Sequence, residues 1–81
     1  MSKATQKMDL HPLALYGKAR GWDYARTAKF FRISYAVYRV LVRGFSSMSF
    51  DRADACEKRS KGDVRAIDIL RWQKRNRRDG Y

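Results

Sequence analysis

Cysteine, histidine and proline each occur only once in this chain of 81 residues. The single Cys56 cannot form an internal disulfide, which fits a reducing cytoplasm, and we interpret it as a small core residue on a helix. His11 has no cysteine, histidine or carboxylate nearby at the spacing of metal ligands. We therefore expect no metal site, and we expect His11 to be an exposed residue near the N-terminus.

Long apolar segments and the common enzyme motifs are also missing. The longest apolar runs are far shorter than the ~20 residues that span a bilayer, and the N-terminus lacks a signal-peptide pattern. We find no P-loop, no other glycine-rich phosphate loop, no HExxH and no cysteine close to Cys56. The sequence therefore predicts a cytoplasmic protein that is not an enzyme, with no cofactor and no small-molecule ligand.

Acidic residues are scarce: the chain has 19 Lys and Arg residues but only 8 Asp and Glu residues, which gives a formal net charge of +11. A small domain with this charge is suited to bind a polyanion. A membrane-surface helix would gather its basic residues on one face opposite a broad apolar face. Here they are spread over several segments, so we favour nucleic acid over a membrane as the partner.

Apolar residues make up 44% of the chain and include 4 Phe, 5 Tyr and 2 Trp, enough for one small folded core. Helical spacing recurs and period-two alternation does not, so we predict an all-α fold, a compact bundle of about five short helices. The predicted segments are a flexible basic arm (1–8), a DNA-binding domain (9–72) and a basic tail (73–81). The predicted helices run from a cap within Asp9–His11 to about Arg20, from Tyr24 to Phe31, from Tyr35 to Arg43, from Ser49 or Asp51 to about Ser60, and from Ala66 to Trp72.

Cap residues and buried positions follow from the same pattern. Asp23 and Ser34 are suited to cap the second and third helices, and Gly44 is suited to end the third. The residues expected to face the core are Ala25, Ala28, Phe31, Val37, Tyr38, Leu41, Val42, Phe50, Ala53, Cys56, Ile67 and Leu70.

The stretch Asp23–Gly44, DYARTAKFFRISYAVYRVLVRG, resembles the helix-turn-helix of Cro and CI-type phage repressors without a gap. Ala25 and Ala28 stand at its small positions, Ile33 and Ser34 match its apolar-plus-cap pair, and Leu41 and Gly44 match the end of its recognition helix. The later segment ACEKRSKGDVRAIDIL (55–70) is similar to small YdaS-like prophage regulators. The resemblance implies a lambda-repressor-like fold with a central helix-turn-helix.

Two departures from the family pattern leave alternatives open. Arg32 stands where the family usually has glycine, so either the corner is remodelled or Arg32 adopts a left-handed backbone. Tyr38 stands where the family has a β-branched core residue. Because Val37 beside it is apolar, the third helix is either in the family's orientation or rotated by about one position.

The resemblance also implies the residues that contact DNA, with the third helix in the major groove. Arg39 is the strongest candidate for reading a base, because a guanidinium can bridge guanine O6 and N7. The base-reading candidates are Ser34, Tyr35, Ala36 and Arg39. The phosphate-contact candidates are Tyr24, Arg26, Lys29, Arg32 and Arg43, and the electrostatic tail candidates are Lys74, Arg75, Arg77 and Arg78.

We therefore predict a sequence-specific regulator of transcription that binds double-stranded DNA, a Cro/CI-type repressor from a prophage or other mobile element. We expect a homodimer on an inverted repeat, with Ile69 and Trp72 of the fifth helix at the dimer surface. Two alternatives stay open. One is an antiactivator that uses the same scaffold to bind a protein, and the other is a nonspecific RNA- or ribosome-binding protein.

Overall fold

The computed structural model describes residues 10–77, and these form five α-helices and no strand. The helices are α1 (Pro12–Ala19), α2 (Tyr24–Phe30), α3 (Tyr35–Val42), α4 (Phe50–Arg59) and α5 (Ala66–Asn76). The prediction of an all-α fold with five short helices is confirmed. Among the described residues, no helix is long and apolar enough to cross a membrane.

Side-chain caps begin four of the five helices, and three of these caps are Asp or Ser residues. An oxygen of Asp23 accepts a hydrogen bond from the Arg26 N–H at 2.8 Å at the start of α2. The Ser34 hydroxyl oxygen accepts one from the Val37 N–H at 3.2 Å at the start of α3. Ser49 caps α4 in the same way. Because these bonds pair backbone donors that the helix leaves without partners, the short helices have fixed starting points.

His11 caps α1 and is buried, so the prediction of an exposed His11 is wrong. Its Nδ1 accepts a hydrogen bond from the Leu13 N–H at 3.0 Å, and its ring centroid lies 4.6 Å from that of Trp72. The side chain is 1% exposed because α5 brings Trp72 against the start of α1. Burial lowers the pKa of His11 to about 4, so the ring is neutral at pH 7.

Helices α1 and α2 are in close contact at Gly17 and Thr27. A Cβ atom on Gly17 would lie 2.9 Å from Cγ2 and 3.0 Å from Cβ of Thr27, and closer still to the Thr27 hydroxyl. The Thr27 hydroxyl donates a hydrogen bond to the Asp23 carbonyl at 2.8 Å, so its polar group is satisfied while buried. The predicted small residue Ala28 is also buried, whereas Ala25 is exposed.

The core joins α1 to α2 and α5, α2 to α3, and α4 to α5. Cys56 is buried in it, as predicted. Four residues predicted to face the core are instead exposed, because each lies beside the buried stripe of its helix rather than on it: Ala25, Val37, Phe50 and Ile67. Ile69 and Trp72 are 0% and 2% exposed. Their side chains fill this chain's own core, so the predicted dimer contact through them is wrong.

Helix α5 extends to Asn76, four residues beyond the predicted end at Trp72. Gln73 explains the extension, because its Oε1 accepts a hydrogen bond from the Met48 N–H at 2.6 Å and its Nε2 donates one to the Met48 carbonyl at 3.2 Å. A residue of α4 stabilises the start of α5, because Glu57 Oε1 accepts a hydrogen bond from the Ala66 N–H at 2.8 Å. Lys74 and Arg75 therefore belong to a helix.

Candidate nucleic-acid interface

The corner between α2 and α3 turns at Arg32, whose φ of 58° is left-handed. Of the two alternatives left open by the sequence, the left-handed backbone is the one observed. Phe31 and Ile33 on either side are each 6% exposed, so Arg32 points away from the core and is exposed. The Ile33 N–H donates a hydrogen bond to the Ala28 carbonyl at 2.9 Å, which closes the end of α2.

The burial of Tyr38 shows which side of α3 faces the core. Tyr38 is 0% exposed, whereas Val37 is 43% exposed, so the predicted burial of both residues holds only for Tyr38. The Tyr38 ring meets the Tyr24 ring edge-on, with centroids 5.3 Å apart. Burial, together with the neighbouring Tyr24, raises the pKa of Tyr38 well above its ordinary value. Tyr38 is therefore a neutral core residue, and the opposite side of α3 faces outward.

The four base-reading candidates, Ser34, Tyr35, Ala36 and Arg39, are all exposed. The first three lie at the N-terminal end of α3, and Arg39 lies in its last turn. The guanidinium carbon of Arg39 lies 5.8 Å from the centroid of the Tyr35 ring. A cation at this distance from a ring face is attracted to it. The structure thus brings Tyr35 and Arg39 together, while the Ser34 hydroxyl is engaged in capping the helix.

The five phosphate-contact candidates are also exposed: Tyr24, Arg26, Lys29, Arg32 and Arg43. The guanidinium carbon of Arg26 lies 5.1 Å from the Trp22 ring centroid. Trp22 itself packs against Phe30, with centroids 5.2 Å apart, and thereby against α2. These contacts place Arg26 at the exposed side of α2 without neutralising its charge.

No acidic residue occurs between Asp23 and Asp51, so every charged side chain of α2, α3 and their corner is basic. Two carboxylates outside this stretch form ion pairs with other basic residues: Asp63 pairs with Arg20 at 3.3 Å and Asp54 with Lys58 at 3.1 Å. Within residues 10–77, none of the basic side chains of α2, α3 or their corner forms an ion pair. Their positive charge is consequently available to an external anion.

Sequence reasoning missed Arg59 of α4. Its Nε donates a hydrogen bond to the Phe30 carbonyl at 2.6 Å, and its guanidinium carbon lies 5.2 Å from the Phe30 ring centroid. Arg59 therefore satisfies a carbonyl at the C-terminal end of α2. The sequence offers no signal for this contact, because it joins residues 29 positions apart.

A second feature missed from the sequence is a shallow depression of about 220 Å³ on the outward side of α3. We call it the α3 notch. Its lining residues are Ala36, Arg39, Val40, Arg43 and Phe45. Ala36, Arg39 and Val40 lie on one stripe of α3, and Arg43 is its C-cap residue. Their spacing in the sequence was the signal from which this part of the notch could have been predicted.

The tail candidates lie apart from this surface. Lys74 and Arg75 are exposed on α5, which packs against α1 and α4, and Arg77 follows as its C-cap residue. The predicted arm (1–8), Arg78 and the last residues of the predicted tail (79–81) lie outside the described residues. The structure therefore does not bring the described tail candidates onto the α2–α3 pair.

Two observations concern metal ligands and the single thiol. Within residues 10–77, no group of three His, Cys, Asp or Glu side chains is arranged to hold a metal ion. Burial raises the pKa of the Cys56 thiol to about 11, which keeps it protonated at pH 7. No family model, curated protein or solved structure matches the chain. The interpretation of its function therefore depends on the geometry and charge of the α2–α3 surface.

Proposed function

We propose that this protein is a sequence-specific regulator of transcription that binds double-stranded DNA. In this proposal α2 and α3 act as a helix-turn-helix of the Cro/CI type, with α3 in the major groove. The observation that carries the proposal is the exposed outward side of α3, whose charged side chains are all basic. The surrounding chain adds no negative charge, because no acidic residue occurs from Tyr24 to Phe50. A groove lined with phosphates attracts such a surface, and an exposed helix fits its width.

Different residues would supply affinity and specificity. Arg26, Lys29, Arg32 and Arg43 would contact phosphates, which hold the protein in place but carry no sequence information. Arg39 would read a base, because its guanidinium donors match the two acceptors of guanine in the major groove. The attraction between the Arg39 guanidinium and the Tyr35 ring, whose centroid lies 5.8 Å away, favours positions of the guanidinium on the outward side of α3 and so supports this role.

The regulatory role extends this proposal. A single α3 covers only a few base pairs, so tight operator binding calls for a homodimer on an inverted repeat. Such a protein would act in the cytoplasm by occupying a promoter or operator, and would thereby repress transcription. Its dimer surface would lie outside the buried pair Ile69 and Trp72.

The test is selection of bound sites from a random pool of DNA duplexes, followed by binding to the selected duplex and a scrambled duplex over a range of salt concentrations. Phosphate contacts give both duplexes a salt dependence, whereas only base contacts separate them. We expect preference for the selected duplex to persist at salt concentrations where binding to the scrambled duplex is lost.

Arg39→Ala is the decisive variant, and Arg71→Ala is its matched control, because Arg71 is exposed on α5 and also carries one positive charge. Arg39→Ala should reduce discrimination between the two duplexes by about 1–3 kcal/mol. Arg71→Ala should leave discrimination unchanged. Equal discrimination in Arg39→Ala and the wild type would show that Arg39 does not read a base.

A second candidate function uses the same surface for a protein. Tyr35 and Val37 are 50% and 43% exposed on α3, and exposed apolar side chains of this kind are frequent at protein interfaces. An antiactivator of this type would select no duplex from the random pool. A nonspecific RNA- or ribosome-binding protein would bind selected and scrambled duplexes alike, with one common salt dependence.

A further inference from the structure

The α3 notch combines an apolar floor with a charged rim. Ala36, Val40 and Phe45 supply the apolar part, and Arg39 and Arg43 supply the guanidinium groups. Val40 and Phe45 are half-buried, whereas the two arginines and Ala36 are exposed. The notch is therefore an apolar depression with positive charge at its edge.

The backbone holds Phe45 beside α3. The Phe45 N–H donates a hydrogen bond to the Val40 carbonyl at 3.0 Å, immediately after the chain turns at Gly44. Gly44 has a φ of 88°, in the left-handed region that glycine adopts without strain. This turn brings an aromatic ring to the helix stripe that carries Ala36 and Val40, so the apolar floor is built from two segments.

The chemistry of the notch matches one group in the DNA major groove. The thymine methyl is the apolar group that a base pair presents there, and alanine and phenylalanine side chains are among those that contact it. Cytosine has no such methyl and instead presents an amino donor, which an apolar floor would leave without a partner. Arg39 at the rim has the donors that guanine accepts, and the acid-free surroundings favour the flanking phosphates.

We infer that the α3 notch receives the methyl group of a thymine adjacent to a guanine that Arg39 contacts. This inference rests on the proposed function, and it names the base step that the protein reads. Val40 is the specificity-determining residue at the thymine position, since it is a half-buried aliphatic side chain that lines the notch together with Ala36 and Phe45.

The experiment replaces each thymine of the selected duplex, one at a time, by deoxyuridine, which differs only by the missing methyl. The full chain is used as wild type, Val40→Ala and Val37→Ala. Val37 is the matched control, because it undergoes the same side-chain change on the same helix but lies outside the notch. Each protein preparation is measured on both duplexes, so that any loss of folded protein cancels in the affinity ratio.

One deoxyuridine substitution should weaken binding of the wild type and of Val37→Ala about threefold to fivefold, as expected when one buried methyl is lost. The same substitution should leave binding of Val40→Ala nearly unchanged. If no thymine position is sensitive, or if Val40→Ala and Val37→Ala respond alike, the notch assignment is wrong while the proposed function stands. If no duplex is selected from the random pool, both are wrong.

Discussion

Replacing Gly17 by alanine should destabilise the protein, although alanine is ordinarily the better helix former. Gly17 lies within α1, and the added Cβ would lie 2.9 Å from Cγ2 of Thr27 and 3.0 Å from its Cβ. Atoms of real side chains do not approach so closely, so α1 and α2 would have to move apart or Thr27 would have to change rotamer. Thr27 is 1% exposed, so a change of its rotamer would disturb the side chains packed around it.

Three contributions set the size of the effect. Alanine in place of glycine stabilises a helix by about 1 kcal/mol. Overpacking a buried contact costs about 1–3 kcal/mol. Rotation of Thr27 would also break its hydrogen bond to the Asp23 carbonyl, which contributes about 1 kcal/mol. The free energy of unfolding should therefore fall by about 1–3 kcal/mol, which for a domain of this size lowers Tm by roughly 4–8 °C per kcal/mol.

Urea unfolding followed by circular dichroism measures this effect in Gly17→Ala, Thr27→Ala and the double variant. Removing the Thr27 hydroxyl and methyl should make room for the new Cβ, so the double variant should be more stable than the sum of the single effects predicts. A Gly17→Ala protein as stable as the wild type, or two effects that simply add, would refute the close packing of α1 on α2.

Two further predictions concern the corner and the α1 cap. Arg32→Gly should raise the free energy of unfolding by roughly 0.5–1 kcal/mol, because glycine adopts the left-handed backbone without strain. The same variant should weaken binding to selected and scrambled duplexes alike, and a change in their ratio would contradict a phosphate-contact role. The pKa of His11 falls from 6.5 to about 4 on folding, so the unfolded chain binds more protons between these values. Stability should be complete above pH 6.5 and fall by up to about 1.4 kcal/mol per pH unit towards pH 4. His11→Asn, which retains a capping side chain, should lose this part of the pH dependence; equal slopes in the two proteins would show that His11 does not titrate in this way.

The helix frame was predictable because its signals are local. Asp23 and Ser34 cap the helices that follow them, and Gly44 adopts the left-handed backbone expected of a residue that ends a helix. A cap needs only the residues within one turn, so its chemistry is visible in a short stretch of sequence. The five helices and the all-α class follow from such signals together with apolar periodicity.

Predictions of burial were wrong in two situations. In one, two neighbouring residues were both apolar; in the other, the residue that buries a side chain lies far away in the sequence. Val37 and Tyr38 are equally plausible core residues by composition, and only the packing of Tyr38 against Tyr24 decides between them. The burial of His11 depends on Trp72, which follows 61 positions later in the chain. Periodicity describes one helix at a time, so it gives no information about the contact between α1 and α5.

The candidate site was predictable as a set of exposed residues but not as a shaped surface. Tyr35, Ala36 and Arg39 are exposed as predicted, since a helix with one buried stripe presents its remaining residues to solvent. The notch depends in addition on Phe45, which no helical pattern includes. Its place is set by the turn at Gly44 and the hydrogen bond to Val40.

Arg32 has a strained backbone at the corner between α2 and α3 and an exposed, positively charged side chain. A left-handed backbone is costly for any residue with a side chain, and glycine would remove that cost. Burial of Phe31 and Ile33 fixes the chain on both sides, so the Arg32 side chain contributes little to the core and extends from the surface between α2 and α3. Its positive charge is available to an external anion, since no carboxylate within residues 10–77 pairs with it. Under the proposed function that anion is a phosphate of the DNA backbone.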